Sequence, residues 1–190
     1  MNENKIKITP MNFPADKEEI ANWQTKYAGT PEFNSIYEYI LENNTYYTLG
    51  EVIEINYEKF PIGDDEKLLS LVAKNNQNEI VGFSIICVYD INTPKPQMFL
   101  RYIVINPAYQ SQGYGTIIAK ELFLNAEKYI GVKPDSIFAY IDQTNYRSQH
   151  LFQEFNFKFT PKDKFFYAET HQPCYLNEQP SLNYPNQPGE

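Results

Sequence analysis

The sequence predicts a single mixed α/β domain, and three observations carry that reading. Segments with apolar residues at helical spacing alternate with runs rich in β-branched and aromatic residues. A chain of 190 residues is of ordinary size for one hydrophobic core. No internal repeat divides it into smaller units. The domain is expected over 1–169, followed by a proline-rich tail over 170–190.

"KIKI" (Lys5 to Ile8) reads as a first strand. In "ADKEEIANWQTKYAG", Ile20, Trp23 and Tyr27 recur at helical spacing, Asp16 can cap the start with Glu19 reaching back, and Gly29 can close the end. A second helix is expected from a Thr30 cap and Pro31, with Phe33, Ile36, Tyr37, Ile40 and Leu41 on one face. "TYYTLGEVIEINYEKFPIGDDEK" reads as partly loop. From Leu68 the pattern becomes sheet-like: "LLSLVAK", the turn "NNQN" and "EIVGFSIICVYD" predict a long hairpin. A third strand, Gln97 to Asn106, ends at Pro107, which has no N–H for a ladder. Thr116 to Ile130 reads as a helix with Ile118, Leu122, Ala126 and Tyr129 inward, ended by Gly131 and Pro134. "SIFAYID" is a strand, "NYRSQHLFQEF" a short helix with Leu151, Phe152 and Phe155 inward, and "FKFT" with "KFFYAE" a closing hairpin.

Composition narrows the function classes. The formal charge of -8 argues against broad binding to nucleic acid or acidic membranes and favours cationic partners. No apolar run approaches the length of a membrane span, and "MNENKIKITP" lacks the apolar middle of a signal peptide. Two cysteines far apart, Cys87 and Cys174, and two histidines, His150 and His171, indicate neither a disulfide framework nor a metal site. A cytoplasmic protein is expected. The tail, with four prolines in "THQPCYLNEQPSLNYPNQPGE", offers Tyr175, Leu176, Leu182 and Tyr184 for packing onto the domain. Its His171 and Cys174 lack a third orienting group and read as an incidental pair.

The stretch "NPAYQSQGYGTIIAKELF" joins a strand to a helix through a polar bend. Gly113 and Gly115 let the backbone turn tightly, and the free N–H groups of the following helix add an anion site suited to phosphate. A plain strand-to-helix turn is the competing reading. Walker A fails because no lysine follows either glycine at once, and a Rossmann fingerprint needs a third glycine where Ile118 stands.

What remains is Gln-x-x-Gly-x-Gly, "QSQGYG", which resembles the acetyl-coenzyme A loop of the GNAT N-acetyltransferase family. A second segment, "DQTNYRSQHLFQEFNFKF", resembles that family's later motif, with Asn145, Ser148, Leu151 and Phe157 at matching positions. Together they extend the likeness over about Ile6 to Tyr167. The resemblance implies a mostly antiparallel central sheet flanked by helices, with the strands Gln97 to Asn106 and Ser136 to Ile141 splayed apart. Acetyl-CoA would serve as co-substrate, its pantetheine arm pairing with backbone at Ile103, Val104 and Ile105. Its pyrophosphate would lie over Gln110, Ser111, Gln112, Gly113, Tyr114, Gly115 and Thr116, while Asn145, Ser148 and Phe152 contact it from the other side. Gln110 stands where the family commonly has Arg or Gln, so main-chain amides carry more of the phosphate charge.

The reaction implied is direct attack of a primary amine on the thioester, with the acetyl oxygen stabilised by a backbone N–H at Ile103 or Val104. The chain departs from the family at Phe152, where many members have a tyrosine that protonates the thiolate. Tyr140, Tyr146 and Tyr102 are the candidate substitutes, with unassisted departure of coenzyme A as the alternative. The strand Gln97 to Asn106 carries no Asp, Glu or His, so Glu54, Glu51 and Asp90 on adjoining segments are the base candidates. Arg101 reads as a supporting residue, and His150, outward by spacing, is given no role. Asn156 replaces a glycine but tolerates a left-handed conformation. Acceptor choice is expected in Trp23 to Gly63, where Tyr46 and Tyr47 lie in the less regular part and Glu51, Glu54, Glu58, Asp64 and Asp65 favour a cationic small molecule or a peptide amine. A homodimer is a further partner to test. The second reading, from another class, is an acetyl-CoA-binding regulatory module without efficient chemistry.

Overall fold

The computed structural model describes residues 5–23, 35–40, 43–56 and 63–176. In chain order the elements are β1 (Lys7–Pro10), α1 (Ala15–Ala21), β2 (Ser35–Ile40), β3 (Asn43–Thr48), α2 (Leu49–Glu54), β4 (Lys67–Lys74), β5 (Ile80–Tyr89) and β6 (Gln97–Ile105). There follow α3 (Tyr114–Leu124), α4 (Ala126–Ile130), β7 (Ser136–Asp142), α5 (Tyr146–Gln153), β8 (Lys158–Lys162) and β9 (Phe165–Thr170). Seven strands form one sheet in the order β1-β4-β5-β6-β7-β9-β8. Every pairing in it is antiparallel except that of β6 with β7. The mixed α/β class holds.

Alternation along the strands sends side chains to two faces. One face, with Leu71, Ile86, Met98, Leu100, Ile137 and Ala139, packs against Ile118, Leu122 and Phe123 of α3 and Phe152 of α5. Phe123 is the hub, its ring 5.4 Å from Phe152, 5.2 Å from Phe155 and 5.1 Å from Phe157. On the other face Val72, Phe83, Ile85 and Val104 pack under Ile20 of α1 and Leu49, Val52 and Ile53 of α2. Trp23, 7% exposed, meets Phe83 at 6.1 Å.

Two expectations for the early chain are corrected. The second helix does not form over Ser35–Ile40, which is a strand paired antiparallel with Asn43–Thr48. Ser-Ile-Tyr-Glu-Tyr-Ile also satisfies a period of two, and its aromatic and β-branched residues favour a pleated surface. Thr30, Pro31, Phe33 and Leu41 lie outside the described residues. Asp16 does not cap α1; the helix starts after Pro14, and the buried Asp16 carboxylate accepts from the Asn12 N–H at 2.7 Å and from Lys74 Nζ at 3.2 Å. That helix ends at Ala21, and the expected continuation to Tyr27 and Gly29 lies outside the described residues. The stretch read as partly loop holds the end of β3 and all of α2, and α2 carries a complete capping box of Thr48 and Glu51. One further difference is a break at Asn125, which divides the expected helix into α3 and α4.

Of the tail, Tyr175 packs on Phe155 at 5.1 Å and the Leu176 N–H donates to the Glu154 carbonyl at 2.9 Å. Leu182 and Tyr184 lie outside the described residues.

Candidate active site

The central feature is where β6 and β7 stop pairing. Their parallel register runs from Gln97↔Ser136 through Met98↔Ile137 to Phe99↔Phe138 and no further. Beyond it β6 continues to Ile105 and β7 to Asp142, so the two strands part. A bulge lies at the same level. Ile85 pairs with Tyr102 and Ile86 with Leu100, which leaves Arg101 without an opposite residue on β5. A narrow cleft fills the gap, bordered by Leu100 to Val104 on one side and Ala139 to Asp142 on the other, with Asn145, Ser148, Phe152 and Phe165.

A broader cleft of about 610 Å³ adjoins it on the helical side. The two share Ile103, Asn145 and Ser148. One wall is the bend after β6: Tyr109, Gln110, Ser111, Gly113, Tyr114, Gly115 and Thr116. The bend begins with a short 3-10 turn, Pro107–Tyr109, capped by the Asn106 side chain. Ser111 and Gly113 have left-handed φ values of 62° and 83°, and a Cβ built on Gly113 would meet nothing within 4 Å. The first helical bond of α3 runs from the Ile117 N–H to the Gly113 carbonyl at 3.1 Å, so the N–H groups of Tyr114, Gly115 and Thr116 precede it and are not claimed by the helix. The other wall is α5, whose N-cap Asn145 accepts from the Ser148 N–H at 3.1 Å.

The structure therefore gathers most of the expected cofactor residues. Ile103, Gln110, Ser111, Gly113, Tyr114, Gly115, Thr116, Asn145 and Ser148 border the broad cleft, Ile105 does so from the strand end, and Val104 and Phe152 border the narrow one. Gln112 borders neither; its Nε2 donates back to the Ala108 carbonyl at 2.9 Å. Gln110 Nε2 likewise turns to the Ile105 carbonyl at 3.3 Å. Phe152 is 2% exposed and packs on Phe157 at 4.8 Å.

The acid candidates differ in placement. Tyr140, 53% exposed, and Tyr102 border the narrow cleft, and Tyr146, 73% exposed, borders the broad one. The base candidates border neither cleft. Glu54 pairs with Lys17 at 3.4 Å, and Glu51 is held below the ordinary carboxylate range by hydrogen bonds from the Thr48 backbone N–H and then its hydroxyl. Asp90 sits in the turn after β5 with a left-handed φ of 56°.

Two carboxylates that sequence reasoning did not single out do border the clefts. Asp142 ends β7 and accepts from the Thr144 N–H at 2.7 Å. Glu154 projects into the broad cleft, 3.5 Å from Thr116 Oγ1 and 3.6 Å from His150 Nε2. His150 is exposed as its spacing predicts, yet it also borders this cleft, as does Arg147. The signal for Glu154 was its three-residue offset from Leu151, which also borders the cleft. Among the described residues no group of three or more His, Cys, Asp or Glu could hold a metal, and no helix is long and apolar enough to cross a membrane.

Comparison with known proteins gives one sequence family. The model of the acetyltransferase (GNAT) family matches residues 21–157. No curated protein matches in sequence. Among solved structures, mutant forms of the spermidine/spermine N-acetyltransferase SpeG from Vibrio cholerae are 16% identical, cover 90% of this chain and 96% of their own, and give a TM-score of 0.58. The ribosomal-protein-S18-alanine N-acetyltransferase from Escherichia coli is 14% identical, with 89% and 94% covered and a TM-score of 0.55. A GNAT family acetyltransferase from Elizabethkingia anophelis with acetyl-CoA bound is 14% identical, with 89% and 99% covered and a TM-score of 0.54. At these identities the likeness is one of fold.

Proposed function

The chain belongs to the GNAT acetyltransferase family, and from that premise we propose that it moves an acetyl group from acetyl-CoA to a cationic primary amine of a small molecule or peptide across the gap between β6 and β7. The enzyme class is that of acetyl-CoA-dependent N-acetyltransferases. The observation that carries the site is the early end of β6–β7 pairing at Phe99↔Phe138, directly beside the glycine bend.

The residues present fit the co-substrate. The open space over Gly113 admits a bulky anion, and the N–H groups of Tyr114 to Thr116 supply donors at the positive end of α3. The β6 edge past Phe99 has backbone groups that β7 does not pair, at the level of Ile103, Val104 and Ile105. An extended chain can add there as a strand would. Asn145 and Ser148 close the opposite wall.

Acetyl-CoA, once bound, supplies an activated acyl group on a thioester. The chain's own work is positioning and charge. A backbone N–H at Ile103 or Val104 holds negative charge developing on the acetyl oxygen, a contribution of about 3 kcal/mol where one such donor has been removed from other enzymes. We assign protonation of the departing thiolate to Tyr140, which borders the narrow cleft, with Tyr146 of the broad cleft as the second candidate. The amine loses its proton to solvent or to Asp142, the carboxylate bordering the narrow cleft, because Glu51 and Glu54 border neither cleft and are engaged elsewhere. The net charge of -8 and the carboxylates that border the clefts, Asp142 and Glu154, support a cationic acceptor. The two thiols, Cys87 and Cys174, are unbridged and support a reducing, cytoplasmic setting. The family match does not favour the regulatory reading.

Calorimetric titration with acetyl-CoA tests the site, comparing the natural chain with Gly113→Glu, which places a side chain and a negative charge over the bend. Tight binding lost in a variant that retains its circular dichroism spectrum is the expected result. Absence of binding by the natural chain overturns the reading, and an amine panel in which only neutral or acidic compounds turn over overturns the cationic acceptor.

A further inference from the structure

Glu154 is a negative charge in the cleft read above as the seat of a negative co-substrate. It ends α5, a position where the helix dipole favours a cation, so local stability does not account for a carboxylate there. The carboxylate extends toward the first turn of α3, with Oε2 3.5 Å from Thr116 Oγ1 and Oε1 3.6 Å from His150 Nε2. Both of those residues border the broad cleft. The backbone holds Glu154 in place: its N–H donates to the His150 carbonyl at 3.2 Å, and its carbonyl accepts from the Leu176 N–H at 2.9 Å. The side chain is only 19% exposed, so its field is screened less than that of a surface charge. His150, by contrast, is 78% exposed, and solvent weakens that pair.

Charge to set against it is scarce. Among the described residues that border this cleft, Arg147 is the one permanent cation. The bend from Gln110 to Thr116 has no charged side chain, and Gln110 and Gln112 turn their amides to the chain's own carbonyls. Anion binding there falls mainly on the N–H groups of Tyr114, Gly115 and Thr116 at the positive end of α3. Glu154 lies beside Thr116, so that helix end already faces one negative charge. A phosphate that arrives meets a field partly cancelled and a like charge close by. We propose that Glu154 sets the grip of the donor cleft by charge: it loosens the hold on a phosphate-bearing acyl thioester and so speeds the departure of coenzyme A after transfer.

This inference rests on the acetyltransferase reading of the cleft. Coenzyme A leaves with the phosphates that acetyl-CoA brought, so a carboxylate that opposes them acts on substrate and product alike. Weaker binding of the substrate is offset wherever acetyl-CoA is plentiful, whereas faster release of the product shortens every cycle. Glu154 takes no part in the acyl transfer itself and is a specificity residue for the donor.

Binding to the full chain, measured with two donors and three variants, tests the proposal. Acetyl-CoA is titrated by calorimetry and S-acetylpantetheine, which carries no phosphate, by NMR. Glu154→Gln and Glu154→Ala remove the charge, and Glu154→Asp keeps it. Both neutral variants are expected to bind acetyl-CoA about 10-fold more tightly and to release coenzyme A more slowly by a similar factor in a stopped-flow chase. Their affinity for S-acetylpantetheine should stay within about 2-fold of that of the natural chain, and Glu154→Asp should keep the looser hold on acetyl-CoA. Unchanged or weaker binding of acetyl-CoA by the neutral variants overturns the inference. So does an equal change for both donors, which marks a packing role, or a gain in Glu154→Asp as large as in Glu154→Gln. Each of those results leaves the acetyltransferase reading standing, because acetyl-CoA still binds. Failure of acetyl-CoA to bind the natural chain and all three variants overturns that reading and the inference with it.

Discussion

Phe152 is the residue at which this chain departs most plainly from its family's chemistry, and its surroundings say what the departure allows. It is 2% exposed, borders the narrow cleft and packs on Phe123 and Phe157. Phe152→Tyr puts a hydroxyl at that border, and turnover is expected to rise by up to about 10²-fold. A buried hydroxyl left unbonded costs about 1–3 kcal/mol, so thermal unfolding of the same variant should fall. Steady-state thiol release and a melting curve read the two effects; unchanged turnover means that Tyr140 or solvent already serves as acid. Gly82 is a second sensitive position, since a Cβ there would lie 2.8 Å from the Val104 carbonyl oxygen, a backbone atom that cannot swing away. Gly82→Ala is expected to destabilise by about 1–3 kcal/mol in a denaturant titration. Single residues were legible where the cue was local: Asn156 was expected to tolerate a left-handed backbone, and its φ is 63°. Glu154 and Arg147 were missed because helical spacing, which puts Glu154 on the Leu151 side of α5, does not say that α5 lies against the bend.

Elements with one dominant period were read correctly, and those with two were not. The β4–β5 hairpin, β6, β7, α5 and the β8–β9 hairpin all stand close to their expected limits, because each is bounded by turn residues and has one apolar rhythm. Ser35–Ile40 fits both rhythms, and only its partner Asn43–Thr48 decides between them. The α2 start was legible in "TLGE", yet its stretch is read only as partly loop, since a helix of six residues leaves too short a pattern to count. That helix offers a test of its cap. Thr48→Ala removes the side chain that accepts from the Glu51 N–H and is expected to cost about 1 kcal/mol. The cap also titrates. Glu51 is held below its ordinary value of 4.5 by the Thr48 hydrogen bonds, so its contribution is present above about pH 4.5 and is lost as the pH falls through the lower, folded-state value. Glu51→Gln should flatten stability against pH in that acid window and leave the slope near neutrality unaltered, which urea titrations at several pH values will show.

At the scale of the molecule, the mostly antiparallel sheet with parted central strands was legible through the two motifs and the strand order, whereas the stacked rings of Tyr89, Phe99 and Phe138 were not, because they come together from β5, β6 and β7 only when the sheet closes. Ligand binding should be visible in global stability. Acetyl-CoA at a hundredfold excess over its dissociation constant is expected to raise unfolding free energy by about 2.7 kcal/mol, read as a rise in melting temperature that Gly113→Glu abolishes. The parting of β6 and β7 has a mechanical meaning as well. The four strands β1, β4, β5 and β6 and the three strands β7, β9 and β8 share only the register from Gln97 to Phe99, so within the sheet the two blocks are riveted at one end, like the arms of tongs. An extended ligand added along the open β6 edge would bridge the arms beyond the rivet, so its binding is expected to be coupled to how far the arms stand apart.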